Sequence, residues 1–107
     1  MDEGADMKKI VIGVKYPKQP WEAREVEDTL PVYQKIVGGY IEGCFTTQSG
    51  IHIFGNEEAR ILKLPPNVMT PDGMICGPVF AVRSNDEGEF VSLTLKDMKS
   101  LGMKNGA

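Results

Sequence analysis

The stretch "MICGPVFAV", Met74–Val82, is the most continuously apolar run of the chain. A short apolar run bounded by turn-forming residues is typical of a strand that is covered on both faces. Pro78 has no backbone N–H and cannot donate to a sheet ladder, so it implies a bulge or an edge at that point. The run therefore predicts a central or covered strand.

The segments that precede this run alternate as strands do. "KKIVIGVKY", Lys8–Tyr16, has its larger apolar residues on one face and Val11 and Gly13 on the other, which predicts a strand covered on both sides. "WEAREVED", Trp21–Asp28, could be a charged helix surface, but it also alternates as an edge strand does. We favour the edge strand, because this element ends at Asp28 or Thr29, where a separate helix can begin. "YIEGCF" and "IHIF" flank the turn "TTQSG" and predict a hairpin.

Turn-forming residues are concentrated on both sides of the apolar run. "LPPNVMTPDG", Leu64–Gly73, is interpreted as a long loop, and its last residues, Pro71-Asp72-Gly73, have the preferences of a tight turn. "FVSL", Phe90–Leu93, predicts a last short strand.

Two short helices have recognisable start and stop residues. Asp28 or Thr29 can cap a helix over residues 29–37, and the first turn of this helix tolerates Pro31 because its N–H would be unpaired there. Thr94 and Asp97 have the spacing of a capping box, which predicts a second helix over "LKDMKSL" with Gly102 as its stop.

The length of 107 residues fits one domain with a single core. We interpret residues 1–7 as a flexible leader, 8–102 as the domain and 103–107 as a flexible tail. The fold class that these elements predict is α+β: a mainly antiparallel sheet of about five or six strands with two short helices packed on it.

The two adjacent glycines in "KIVGGYIEGCF", Lys35–Phe45, raise the question of a phosphate-binding loop. Such loops run from a strand to a helix, so that the anion meets free N–H groups at the positive end of the helix. Here the order is helix, glycines, strand, and the C-terminus of a helix repels phosphate. Gly38 is therefore interpreted as the helix stop, and Gly39 as the start of a close-packed strand.

Composition and charge argue against several classes of protein. Twelve basic residues stand against 15 acidic ones, and without the three acids of the leader the two signs are equal. No basic stripe remains, so bulk nucleic-acid binding is not expected. No segment has the apolar length of a membrane helix or the pattern of a signal peptide, and we expect a cytoplasmic protein.

The residues that usually bind metals are few and scattered. Cys44 and Cys76 belong to no CxxC pair and are interpreted as small buried apolar residues. The single histidine cannot form a metal site unless carboxylates or cysteines converge on it. No metal or other cofactor is expected.

Six polar or aromatic residues are candidates for binding a ligand or partner. In "GYIEG", a carboxylate beside an aromatic ring on one sheet face could hold an amine or guanidinium group. "NEE" is a polar turn, and binding residues are often found in such loops. No catalytic residue is assigned, because no nucleophile is tied to a base by a recognisable motif. The candidates are Tyr40, Glu42, His52, Asn56, Glu57 and Asn67.

The order of several motifs resembles a family of small bacterial and phage proteins known as domain of unknown function 3846. The matching stretches lie within residues 8–98 and are "AREVEDTLPVYQKIVGGYIE", "NEE", "LPPN", "ICGPVFAV" and "SLTLKDM". This chain has Ala59, Val68 and Pro78 where family members tend to have glycine, arginine and a small polar residue. The resemblance implies an accessory gene of phages, plasmids or conjugative elements, and it implies no activity.

Three hypotheses for function remain open at this point. The first is a non-enzymatic binding protein that blocks a host defence on behalf of a mobile element. Its target would be a host protein such as a CRISPR effector, or a signalling nucleotide held between the protomers of a homodimer. The second is a small enzyme that combines Glu42, His52, Glu57 and Asn67 in one pocket. The third is a structural or assembly factor.

Overall fold

Eight strands and two helices occupy residues 8–103, the part of the chain that the computed structural model describes. The leader predicted for residues 1–7 lies outside the described residues, as do residues 104–107 of the predicted tail. The elements in chain order are β1 (Lys9–Lys15), β2 (Glu22–Glu27), α1 (Leu30–Val37), β3 (Ile41–Thr46), β4 (His52–Asn56), β5 (Pro66–Thr70), β6 (Gly73–Cys76), β7 (Val79–Ser84), β8 (Phe90–Val91) and α2 (Leu95–Ser100).

Six of these strands form one antiparallel sheet. Its order is β2-β1-β7-β4-β3, and β8 pairs with the end of β7. β7 lies in the middle and its residues Val79–Val82 are fully buried, whereas the charged strand β2 lies at one edge. β5 and β6 form a separate antiparallel hairpin. The predicted α+β fold, a mainly antiparallel sheet with two short helices, is confirmed.

The apolar run Met74–Val82 is not one strand, and that prediction is wrong. Gly77 and Pro78 separate β6 from β7. Gly77 has a φ of 82°, a conformation that glycine adopts without strain, and its N–H donates to the carbonyl of Pro65 at 2.7 Å. A Cβ at Gly77 would lie 2.6 Å from Leu64 Cδ1. The chain therefore turns at this glycine.

The long loop predicted for Leu64–Gly73 is also wrong, because half of it is strand β5. Only the turn at its end is confirmed: the Thr70 hydroxyl donates to the carbonyl of Gly73 at 2.8 Å and accepts from the N–H of Asp72 at 3.1 Å. Val68 of β5 pairs with Ile75 of β6, and both pack against the sheet. This burial outweighs the turn-forming composition of the segment.

An apolar cluster lies on each face of the sheet. On one face, α1 packs on β1 and β7, and the ring of Phe80 stacks between those of Tyr33 and Phe54, with centroids 4.7 and 5.2 Å away. On the other face, Leu93, α2 and the β5–β6 hairpin cover Ile53 and its neighbours. No helix within residues 8–103 is long and apolar enough to cross a membrane.

The helix ends follow the predicted signals. α1 begins after Thr29 and ends at Gly38, which has a φ of 82° and donates its N–H to the carbonyl of Gln34 at 2.8 Å. Thr94 and Asp97 form the predicted capping box of α2. The Thr29 side chain makes no cap hydrogen bond, so the predicted side-chain cap of α1 is not formed, although Pro31 lies in its first turn as predicted. The hydrogen bonds at Gly38 and in the Thr94–Asp97 capping box are local, and this explains why those two helix ends could be located from single residues.

Candidate functional site

A recess of about 410 Å³ lies between the main sheet and the β5–β6 hairpin. It is lined by part of β3, the end of β4, the turn segment 57–63 and the hairpin. Volumes of this size are common among pockets that bind small ligands or single side chains. We call this feature the recess; its lining residues are Glu42–Cys44, Asn56, Glu57, Ala59–Ile61, Thr70 and Asp72–Cys76.

The charge of the recess is negative. Glu42, Glu57 and Asp72 supply three carboxylates, and Arg60 supplies the one cation of the lining. None of these four side chains forms a hydrogen bond or an ion pair with another residue in the described range 8–103. Like charges around a concavity reinforce one another. The recess therefore attracts cations and repels anions.

Two thiols form part of the wall. Cys44 and Cys76 are free and half-buried rather than fully buried, so the prediction of buried apolar cysteines is only partly right. Burial raises the pKa of the Cys44 thiol, and the negative charge of Glu42 raises this pKa further. A raised pKa keeps the thiol protonated at neutral pH, which makes it a poor nucleophile.

The carboxylates and thiols of the recess do not converge on a point. Across the described residues, no group of three or more His, Cys, Asp or Glu side chains is arranged to hold a metal ion. The arrangement suits a larger cation that meets the carboxylates at different places.

Three of the six candidate residues line the recess, namely Glu42, Asn56 and Glu57. Tyr40 does not; its side chain is exposed, and its backbone carbonyl accepts the N–H of Glu57 at 2.9 Å. Glu42 therefore lines the recess without the Tyr40 ring that was predicted beside it, and Tyr40 lies one residue before the start of β3.

Asn56 is a structural joint between α1 and the turn segment. It is buried, its side-chain amide donates to the carbonyl of Val37 at 3.1 Å, and its side-chain oxygen accepts the N–H of Glu58 at 2.7 Å. With both polar atoms engaged, it fixes the turn that carries Glu57 and Arg60. Asn56 therefore positions the recess.

His52 lies at the other end of β4. Its Nδ1 is 2.9 Å from Thr46 Oγ1 and its Nε2 is 2.9 Å from Ser84 Oγ, so the imidazole links three neighbouring strands. Four steps of extended strand, roughly 13 Å, lead from it to Asn56. These two hydroxyl partners could not be predicted from the sequence, because strand pairing alone brings them to the imidazole.

Asn67 is also occupied elsewhere. Its amide donates to the carbonyls of Lys15 at 2.9 Å and Gly77 at 2.8 Å, and its oxygen accepts from Lys15 Nζ at 2.7 Å. It thus joins β5 to the end of β1 and to the link before β7. His52 and Asn67 do not line the recess, whereas Glu42 and Glu57 do, so the recess contains only two of the four residues of the enzyme hypothesis.

Several residues of the recess were missed by the sequence interpretation. Arg60 and Asp72 lie in turns that look only polar, and Cys76 lies within an apolar run. Their common position depends on the contact of the hairpin with β4, where a Cβ on Gly55 would lie 3.2 Å from Cys44 Sγ and 3.6 Å from Ile75 Cγ2. The one feature of the sequence that could have indicated these residues is that polar turn segments directly adjoin the ends of predicted strands.

The two adjacent glycines are required for different reasons, and this difference can be tested. A Cβ on Gly39 would lie 2.9 Å from Asn56 Nδ2, whereas one on Gly38 would meet no atom within 4 Å. Gly38→Ala should lower the free energy of unfolding by about 1 kcal/mol through backbone strain alone. Gly39→Ala should cost about 2 kcal/mol, because it displaces the buried Asn56 hydrogen bonds.

Urea denaturation of the two variants provides the measurement, with Gly43→Ala as the control. A Cβ on Gly43 would have its nearest contact at an ordinary 3.6 Å from Phe54. A loss at Gly39 no larger than the loss at Gly43 would contradict the role given to Asn56.

Comparison with known proteins gives one match. A family model described as "Domain of unknown function (DUF3846)" matches residues 7–105. No match was found among curated proteins or among solved structures. The matched stretch contains every residue that lines the recess.

Proposed function

The chain belongs to the DUF3846 family, whose description assigns no activity, and from the recess we propose that it is a non-enzymatic binding protein. On this proposal, the recess holds an amine or guanidinium group of the ligand. The protein acts in the cytoplasm of a bacterial host as an accessory factor of a phage or other mobile element. There it blocks a host defence by binding a defence protein, such as a CRISPR effector, or a signalling nucleotide.

The observation that carries this proposal is the grouping of three exposed carboxylates around one concavity. Glu42, Glu57 and Asp72 come from three separate parts of the chain, and each is free of intramolecular partners within residues 8–103. Carboxylates that support a fold are usually hydrogen-bonded, as Asp97 is to Arg83. Free carboxylates around a recess can instead bind cationic groups from outside.

The resemblance noted in the sequence supports the biological setting. A small protein without a nucleophile–base pair in its recess fits a factor that acts by occupying its target. The protonated thiol of Cys44 agrees with this view, since it is unsuited to covalent catalysis.

Binding of a simple cation to the recess can be measured by NMR. Titration with ethylguanidinium chloride should shift the amide signals of residues 42–44, 56–61 and 70–76 together, because these segments surround the carboxylates. The combined variant Glu42→Gln, Glu57→Gln, Asp72→Asn should lose these shifts. Glu25→Gln, on the exposed edge strand β2, removes one distant charge and should retain them. Shifts that are scattered, or that persist in the combined variant, would contradict the proposal.

The counter-defence role needs a separate test in bacteria. Phage plating is compared on hosts that carry a CRISPR system and express either the natural chain or the combined variant. The proposal predicts that the natural chain restores plating and that the variant does not. Equal plating with both proteins would show that the recess is not used for this purpose.

A further inference from the structure

An apolar rim accompanies the carboxylates of the recess. Ile61 and Met74 line the recess and are 78% and 39% exposed, and Met69, the cross-strand partner of Met74, is 69% exposed. Single exposed apolar residues are common on protein surfaces. Two of them in the lining of one cavity, with Met69 beside Met74 but outside that lining, are instead typical of an interaction surface.

The packing of the hairpin explains why its two methionines are uncovered. Side chains alternate along a strand, so Val68 and Ile75 point to the sheet, and Met69 and Met74 point away from it. The inward pair packs on the apolar cluster of the sheet. The outward pair adds no core contact, and methionine is well suited to adapt to an external partner.

The charge of the recess favours a protein target over a signalling nucleotide. A nucleotide would bring phosphate charge next to Glu42, Glu57 and Asp72, with Arg60 as the one opposing cation. A free amine would satisfy the carboxylates but would leave the apolar rim uncovered. A polypeptide can supply a cation and apolar side chains within a few residues.

We infer that the occupant of the recess is a protein segment in which an arginine or lysine is flanked by large apolar residues. This inference rests on the function proposed above and narrows its ligand class. The basic side chain enters among the carboxylates, and its apolar neighbours cover Ile61, Met69 and Met74. Phosphate-bearing small molecules are excluded as ligands of this recess.

The test uses a fluorescein-labelled pentapeptide with a central arginine between two leucines. Its binding is measured by fluorescence anisotropy and compared with peptides that carry glutamine for arginine, or alanine for both leucines. Each change should weaken binding about tenfold, since each removes one of the two complementary features. Raising the salt concentration to about 1 M should weaken the arginine peptide but not the glutamine peptide.

Two variants separate the contributions of the rim and the carboxylates. Met69→Ser, at a rim residue outside the lining of the recess, should weaken the arginine peptide about tenfold and leave the ethylguanidinium shifts intact. The matched control is Leu95→Ser, which changes an exposed apolar residue on α2 and should leave both unchanged. Urea denaturation confirms that each variant is folded.

The outcomes distinguish this inference from the proposed function. The inference is wrong, and the proposed function stands, if ethylguanidinium binds and the arginine peptide binds no more tightly than ethylguanidinium does. The same conclusion follows if the methionine variant binds the arginine peptide as tightly as the natural chain does. Displacement of the peptide by inorganic pyrophosphate at matched ionic strength would also overturn the inference. If neither ethylguanidinium nor the peptide binds, both statements fail.

Discussion

Replacing Phe80 by alanine is expected to lower the free energy of unfolding by about 4 kcal/mol. Its side chain is fully buried in the central strand, and its ring contacts the rings of Tyr33, Phe54 and Phe90 at centroid distances of 4.7, 5.2 and 6.3 Å. Alanine would remove the ring on which the aromatic cluster is stacked, and the rigid strands around it cannot close the cavity.

Urea denaturation followed by circular dichroism measures this loss. Phe80→Leu gives a milder change in case the alanine variant does not fold, and Leu95→Ala, at a 70% exposed position, should be nearly neutral. If Phe80→Ala cost no more than Leu95→Ala, the cluster on the α1 face could not be the main source of stability.

Replacing Asp97 by alanine is expected to cost about 3 kcal/mol. The Asp97 carboxylate is 3% exposed and accepts two hydrogen bonds from Arg83, from Nε at 2.7 Å and from Nη2 at 2.8 Å. It also caps α2 through Thr94. The variant removes the cap and leaves the Arg83 guanidinium, 29% exposed, without its partner. Thr94→Ala loses only part of the cap and should cost about 1 kcal/mol.

The pH dependence of stability identifies the same carboxylate. Hydrogen bonds from Arg83, followed by those from Thr94, hold the pKa of Asp97 below its usual value. A lowered pKa means that the contribution is complete above the unfolded pKa of about 3.9 and is lost as the pH falls below it. The natural chain should therefore lose stability relative to Asp97→Ala under acid. If the difference in free energy of unfolding between the two proteins were the same at about pH 6 and at about pH 2.5, the assignment would be contradicted.

Much of the fold could be predicted because its signals are local. The alternation in β1, the glycine stop at Gly38 and the capping box at Thr94 each depend on residues within one element, and all three are confirmed. The structure of the segment that forms β5 and β6 could not be predicted from local signals. Its prolines and glycines indicated a loop, but the pairing of Val68 with Ile75 over the sheet decided its structure.

The site was predictable to a smaller extent. Glu42 and Glu57 were identified because they lie in polar turns or beside them, and both line the recess. Asp72 was not, because thirty residues of chain separate it from Glu42 and only the docking of the hairpin brings them to one cavity. Asn56 and Asn67 were predicted as binding residues, but their side-chain amides donate hydrogen bonds to backbone carbonyls of this chain. Polar side chains that hold turns together cannot be told from binding residues by sequence pattern.

The proposed function and the further inference both require a basic side chain to bind in the recess. The most direct measurement is of intermolecular nuclear Overhauser effects between the arginine side chain of the labelled pentapeptide and the protein, at saturating peptide. We predict contacts from the arginine methylene protons to the side-chain methylene groups of Glu42 and Glu57, which line the recess. Contacts of the arginine to Leu95 or to the β2 edge instead, with none to Glu42 or Glu57, would contradict this placement.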